Sequence, residues 1–212
     1  MEYVKLPKTK RGELTLKKIC DAAEELFAQN GFYTTEISDI TRKAGVATGT
    51  FYTYFADKNS VFLHLMDDLG HKLRQEIKQA KLEESPKSFI ELERISARVY
   101  LSFVQRHWGI FHIVWQSMFM DVEIFKLYFE RFSHGYIKEI KQAQESGEIR
   151  DIDPTLFSFI LMGMHQFVAL KHYVFDETEP DDAVIDQLVE FVARGLRKSP
   201  HKPGYLRTKK SA

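Results

Sequence analysis

Cysteine is almost missing from this chain: among 212 residues there is one, Cys20. One thiol cannot close an internal disulfide, and no cysteine pair exists for a structural zinc, so a reducing compartment fits. Charge of one sign is missing too. Thirty Lys and Arg balance thirty Asp and Glu, so the molecule as a whole does not attract nucleic acid and any basic patch must be local. There is no long hydrophobic run. The most apolar stretch, Leu156 to Met164, falls well short of the roughly 20 residues a bilayer span needs, and His165 and Gln166 follow it. The opening MEYVKLPKTKRGE has no apolar segment of the signal-peptide kind. A cytoplasmic protein without membrane attachment is expected. Enzyme signatures are wanting: no GxSxG, no P-loop, no Gly-rich dinucleotide fingerprint and no Cys–His nucleophile pattern. No compact metal signature such as HExxH is present. Strand-like alternation is nearly absent. The expectation is an all-α protein that is not an enzyme and carries no cofactor and no metal.

Helical periodicity is what remains, and it runs through almost the whole chain. Residues 1–11 read as a basic, flexible arm containing Lys5, Lys8, Lys10 and Arg11. A first helix follows from about Gly12 to Asn30, with Leu16, Ile19, Cys20, Ala23, Leu26 and Phe27 on one face and Gly31 as its stop. Thr35 reads as the N-cap of a short helix, Glu36 to Ala44, and Gly45 makes a turn. A third helix, about Ala47 to Tyr54, buries Val46, Phe51 and Phe55 along one edge. Asp57 caps a long fourth helix from Lys58 to Ala80. Glu83-Glu84-Ser85-Pro86 is a break. Beyond it helices are predicted near 87–106, 108–118, 121–146, 153–175 and 181–197, and the tail 199–212 reads as basic and disordered. This gives about nine helices in five segments: the arm at 1–11, a helix-turn-helix domain at 12–56, a connecting helix at 57–80, a larger helical domain at 81–198, and the tail at 199–212.

The third helix points to DNA. A recognition helix needs an apolar edge for docking and short polar side chains on the other. Thr48, Gly49, Thr50 and Thr53 supply the exposed edge, and Gly49 admits close approach of backbone to DNA. Threonine methyls suit thymine methyls, and threonine hydroxyls suit base edges or phosphate. Tyr52 and Tyr54 can offer hydroxyls to phosphates. No Arg, Asn or Gln lies in the helix, so specificity leans on Arg42, Lys43 or DNA shape. Lys58 opens the fourth helix, where a side-chain cation and free N–H groups together suit a phosphate. Residues 1–56 carry eight basic and seven acidic residues, so the domain is not basic overall. The arm reads either as a phosphate or minor-groove contact or as a solvated terminus. The tail beyond Arg194 reads as a solubilising run or, alternatively, as a DNA contact.

The run GFYTTEISDITRKAGVATGTFYTYFADKNSVF closely resembles the N-terminal domain of TetR/AcrR-family transcriptional regulators. The resemblance rests on Gly31-Phe32, Thr34-Thr35, Ile37, Ile40, Ala44-Gly45-Val46, Gly49-Thr50-Phe51-Tyr52, Tyr54-Phe55 and Lys58, with Ala22, Ala23, Leu26 and Phe27 of the first helix. It covers about residues 12–65. It implies a homodimeric, ligand-responsive regulator, usually a repressor, that binds a palindromic operator in double-stranded DNA. Ala47, Thr48, Gly49 and Thr50 would face bases, Thr35, Tyr52, Tyr54 and Lys58 would clamp phosphates, and Thr53 would lie between the two sets. Asn59 stands where the family often has an acidic residue, a departure that touches a helix start and not a DNA contact.

The second half is rich in rings. Residues 99–136 include Phe103, Phe111, Trp115, Phe129 and Phe132, which read either as core or as the lining of a pocket. The resemblance favours an apolar pocket with polar anchors. Candidate lining and anchor residues are Phe103, His107, Phe111, Trp115, Phe129, Phe132 and His165, with His112, Gln116 and Gln166 as further anchors. A hydrophobic effector is implied; a fatty acyl thioester and a lipophilic drug both fit. The last two helices carry apolar residues on more than one side: Leu156, Phe159, Ile160, Gly163 and Phe167 on one, Ile185, Leu188, Val189, Val192 and Leu196 on the other. By the resemblance they form the homodimer interface. The rival reading is a helical ligand- or metal-binding scaffold without DNA activity, with His64, Asp67, Asp68 and His71 on one helix side as its candidate ligands.

Overall fold

The structure, a computed structural model, describes residues 3–120 and 122–197, with the side chains of Ile110, His112 and Met120 left aside. The tail at 199–212 and the anchor role expected of His112 lie outside the described residues. Among those residues there are nine α-helices and no strand: α1 (Lys10–Asn30), α2 (Ile37–Ala44), α3 (Thr48–Tyr54), α4 (Lys58–Glu84), α5 (Phe89–Arg106), α6 (Trp108–Met120), α7 (Val122–Glu145), α8 (Pro154–Leu170) and α9 (Asp182–Leu196), with a π-helical segment at Lys171–Phe175.

The helix ends follow from their caps. Thr9 accepts from the Gly12 N–H and starts α1 two residues earlier than the apolar pattern suggested. Gly31, at φ 82°, ends α1 by donating its N–H to the Phe27 carbonyl. Gly45, at φ 67° and ψ 37°, is a left-handed stop that only glycine adopts freely, and the Val46 N–H reaches back to the Thr41 carbonyl. Asp57, Ser88, Asp153 and Asp181 cap α4, α5, α8 and α9 with their side chains.

Three boundaries differ from expectation, each for a physical reason. The cap of α2 is Glu36 and not Thr35: the Asp39 carboxylate accepts from the Glu36 N–H at 3.1 Å, while Thr35 is turned inside. Helix α4 continues past Ala80 to Glu84. Lys81 and Glu84 are anchored by ion pairs to Glu139 and Arg98, and the stop comes at Ser85, which Pro86 bars from the right-handed helical region. The stretch 153–175 is not one α-helix, because its last five residues widen to π geometry.

Helix α4, 27 residues and so about 40 Å long, is the spine. It packs on α1 in the N-terminal module and on α5, α6 and α7 in the second half. In the small module Phe27, Phe51, Phe55 and Phe62 are fully buried. Burying each ring contributes about 1.5–3 kcal/mol, which is how three short helices hold together. Helix α6 closes the gap between the halves by packing on α1, and α5 packs on α8 and α9. No helix among the described residues is long and apolar enough to cross a membrane.

Candidate nucleic-acid interface and effector chamber

Helix α3 is held by one edge. Phe51 within it and Phe55 just after it are buried, and their rings lie 5.5 Å apart. The opposite edge stands in solvent: Ala47, Thr48, Gly49, Tyr52 and Thr53 are exposed, and Thr50 and Tyr54 are half-exposed. A Cβ on Gly49 would meet nothing within 4 Å, so its role is to leave the face low and not to relieve a clash inside the protein. The Thr53 hydroxyl donates to the Gly49 carbonyl at 3.3 Å, a weak bond that an external acceptor can replace.

Thr35 and Lys58 stand differently from expectation. Thr35 is fully buried, and its hydroxyl donates to the carbonyls of Gly31 at 2.8 Å and Leu26 at 3.2 Å. It ties the α1–α2 turn and presents no hydroxyl to a phosphate. The Lys58 ammonium donates to the carbonyls of Thr35 at 2.7 Å, Phe32 at 2.8 Å and Tyr33 at 3.3 Å, and lies 4.5 Å from the centre of the Phe32 ring. An ammonium has three protons, and here all three are used. Lys58 is therefore a staple across the same turn and not a free cation awaiting a phosphate. The sequence showed the charge at the helix start; it could not show that the turn carbonyls converge on it.

Basic charge reaches the reading face from elsewhere. The Lys5 N–H donates to the Tyr54 carbonyl at 2.8 Å, and Pro7 passes so close to Gly12 that a Cβ there would stand 2.6 Å from Pro7. Residues 3–9 are thus fastened along the end of α3 and do not form a flexible arm. Lys5, Lys8, Lys10 and Arg11 are exposed beside it. Arg42 and Lys43 are exposed as well, paired with Asp39 and Glu25. Ion pairs this exposed are weak and readily exchanged for phosphate. Tyr33, not among the expected contacts, is a large ring left exposed between α1 and α2.

The second half contains a small chamber between α5, α7 and α8, lined by Tyr100, Phe129, Phe132, Tyr136, His165 and Gln166, with Tyr128 and Met162. Its free volume is about 20 Å³, roughly one water. His165 is 1% exposed and sits between partners: Tyr136 Oη is 3.2 Å from Nδ1, and Glu93 Oε1 is 2.9 Å from Nε2. The second contact is close but misaligned, because neither atom completes a hydrogen bond. Tyr100 Oη and Gln166 Oε1 are buried without a partner. Burial, with neighbouring tyrosines in the first case and nearby carboxylates in the second, pushes the Tyr100 and Tyr136 hydroxyls well above the ordinary phenol range, so both stay protonated. Of the expected lining, Phe129, Phe132 and His165 are at the chamber. Phe103, His107, Phe111 and Trp115 are not. Phe103 packs on His107 within α5 and its cap at 4.4 Å, and Trp115 of α6 faces Phe125 of α7. Glu93 was missed, although it interrupts the apolar stripe of α5 at Phe89, Glu93, Ser96 and Tyr100, a pattern the sequence displays.

Outside the chamber, and sharing Phe132 and Tyr136 with it as a wall, lies a cleft of about 320 Å³ bordered by Arg74, Lys78, Lys81, Gly135 and Glu139. Gln116 of α6 joins the halves: its Oε1 accepts from the Phe32 N–H at 3.2 Å, on the turn that Lys58 staples. On α8, Leu156, Phe159, Ile160 and Phe167 point outward, and Phe191 of α9 does so too. The stripe Ile185, Leu188, Val189, Val192 and Leu196, expected at a dimer interface, is instead buried within the chain, where α9 packs on α5. No cluster of three or more His, Cys, Asp or Glu among the described residues is placed to hold a metal ion.

Residues 19–65 match the family model described as bacterial regulatory proteins, tetR family. Over nearly its whole length the chain is similar to the uncharacterized HTH-type transcriptional regulator YvdT of Bacillus subtilis, at 25% identity over 195 residues, covering 90% of this chain and 98% of that one. The fatty acid metabolism regulator protein of B. subtilis is 36% identical over 66 residues, 29% of this chain and 34% of the relative. Among solved structures, the transcriptional regulator FadR of B. subtilis in complex with stearoyl-CoA shares the fold, with a TM-score of 0.72 at 21% identity, covering 85% of this chain and 99% of that one.

Proposed function

We propose that this chain is a TetR-family DNA-binding transcriptional regulator and works as a dimeric repressor released from a palindromic operator by a hydrophobic small molecule. The division of labour follows the expected segments: 12–56 reads DNA, 57–80 connects, and 81–198 binds the effector and the second copy. Membership in this family makes the protein a regulator and not an enzyme.

The observation that carries the reading is the free edge of α3, polar and small, with the arm's cations fastened beside it. Two such helices enter successive major grooves about 34 Å apart. Thr48, Gly49 and Thr50 face bases, Thr53 lies at the edge, and Tyr52 and Tyr54 meet phosphates. Lys5, Lys8, Arg42 and Lys43 supply the salt-dependent attraction. The outward apolar stripe of α8, with Phe191, supports pairing with a second copy, and Gly163, whose Cβ would meet nothing within 4 Å, leaves room for a close crossing.

Effector control runs through the helices that touch both halves. A ligand that parts α7 from α8 moves α4 and α6 with it. Through Lys58 and Gln116 both helices hold the Phe32 turn, so the two reading helices change their separation. DNA affinity then falls by the ligand's preference for the altered conformer.

The test is selection of bound duplexes from a random pool, repeated with Thr48→Ala and Tyr52→Phe. An enriched palindrome that changes with Thr48→Ala supports the reading. A folded protein that enriches nothing overturns it.

A further inference from the structure

The chamber and the cleft outside it have opposite chemistry, and together they describe one ligand. The cleft has three cations, Arg74, Lys78 and Lys81, against one carboxylate, Glu139, which is already paired with Lys81. Arg74 lies over the Phe132 ring at 5.7 Å and forms no ion pair among the described residues. The chamber is walled mostly by aromatic rings, and its lining holds no Lys or Arg. Its lining includes Tyr100 and Gln166, residues 8% and 7% exposed, whose Oη and Oε1 are buried without a partner. A buried polar atom left alone is costly, so a ligand that reaches this wall is favoured if it completes the bonding. A carboxamide oxygen only accepts, whereas a phenol both donates and accepts. A hydroxyl is the small group that can donate to Gln166 and accept from Tyr100 at once.

We infer that the effector is an aryl compound with a hydroxyl at its buried end and an anionic group at the other, the hydroxyl meeting Tyr100 and Gln166 and the anion resting between Arg74 and Lys78. This rests on the reading of this half as the effector domain and specifies the ligand there. A saturated acyl chain would leave both polar atoms bare. The chamber now holds about one water's volume, so Phe132 and Tyr136, the shared wall, swing aside as the ring enters.

The experiment is calorimetric titration of the full-length protein with 3-(4-hydroxyphenyl)propionate, 3-phenylpropionate and octanoate, alongside release of a selected operator duplex by each. The hydroxylated acid should bind at least tenfold tighter than either other acid. In Gln166→Leu and Tyr100→Phe that preference should shrink to near parity. Lys78→Ala should weaken all three acids by a similar factor. Gly135 borders the cleft and has open space at its Cβ, so Gly135→Phe should fill the cleft and abolish binding while the protein stays folded and on DNA. Equal binding of the three acids, or a preference that survives in Gln166→Leu and Tyr100→Phe, overturns the inference. If octanoate alone binds and releases DNA, the inference fails and the effector-domain reading stands. If no acid binds, the inference fails, and if octanoyl-CoA added to the same operator complex does not release DNA either, the effector reading fails with it.

Discussion

The two halves treat buried polar groups in opposite ways. In the reading module every buried polar side chain has a partner: Lys58 spends its three protons on three carbonyls, Thr35 bonds two, and Thr41 bonds the Ser38 carbonyl. The buried side-chain atoms without a hydrogen-bond partner, among the described residues, belong to Glu93, Tyr100, Trp115, His165 and Gln166, all in the second half. A module that must present one rigid face gains from having nothing left to bond. A domain that must answer to a ligand keeps bonding capacity in reserve, at some expense in its own stability.

The largest expected effect comes from the module's staple. Lys58→Ala should destabilise the protein by about 2–4 kcal/mol, since it strands three carbonyls and loses a ring contact. A thermal melt checks this, and a melt unchanged while DNA affinity alone drops would make Lys58 a phosphate ligand after all. Next is Tyr52→Phe, which keeps the exposed ring that packs edge-on against Phe51 and removes only its hydroxyl. It should weaken binding to every duplex by about 1 kcal/mol and leave the melting temperature unmoved, as read from binding isotherms across a salt series. A matched pair sharpens the contrast further. Thr35→Val should cost about 1–2 kcal/mol, because a satisfied buried hydroxyl is lost and its acceptors remain. Tyr100→Phe should be neutral or slightly stabilising in the absence of ligand. If both cost the same in denaturant melts, the contrast between the halves is wrong.

The smallest effect is in pH. Burial first, then the nearby Arg106, lowers the pKa of His107 below its usual 6.5, and burial lowers that of His64 as well. Each histidine binds its proton more readily in the unfolded chain, so their contribution to stability is complete above about pH 6.5 and shrinks as the pH falls below it. His107→Gln should flatten part of that acid-side decline in melting temperature. Cys20 should stay unreactive to thiol reagents at neutral pH, since burial, reinforced by Asp68 and Asp21, pushes its pKa up to about 12.

Much of the fold could be read from the sequence because local chemistry decides it. Gly31, Gly45, Asp57 and the Ser85-Pro86 break mark helix ends on their own, and the Phe51 and Phe55 spacing defines the docked edge of α3. What could not be read is where separate elements converge. Nothing in the sequence around Lys58 announces that the carbonyls of residues 32, 33 and 35 will surround its ammonium. Thr35 was a reasonable cap by type, yet Asp39 three residues after Glu36 captured that position and released Thr35 to the interior. In the second half, rings alone do not tell core from chamber. Phe111 and Trp115 carry the same apolar signal as Phe129 and Phe132, and only the packing of α6 against α1 sends them elsewhere. Glu93 was legible as a carboxylate on an apolar stripe; its partner His165, 72 positions on, was not.

Helix α6 meets α1 where Gly109 lies over Ala28, so close that a Cβ on Gly109 would stand 2.5 Å from that of Ala28. Anyone grafting a foreign reading head onto this sensor therefore inherits a fitting problem that sequence similarity around α3 does not reveal. The head must bring a small residue at the position of Ala28 and a main-chain donor at that of Phe32, or the proposed coupling between ligand and DNA is broken at the seam.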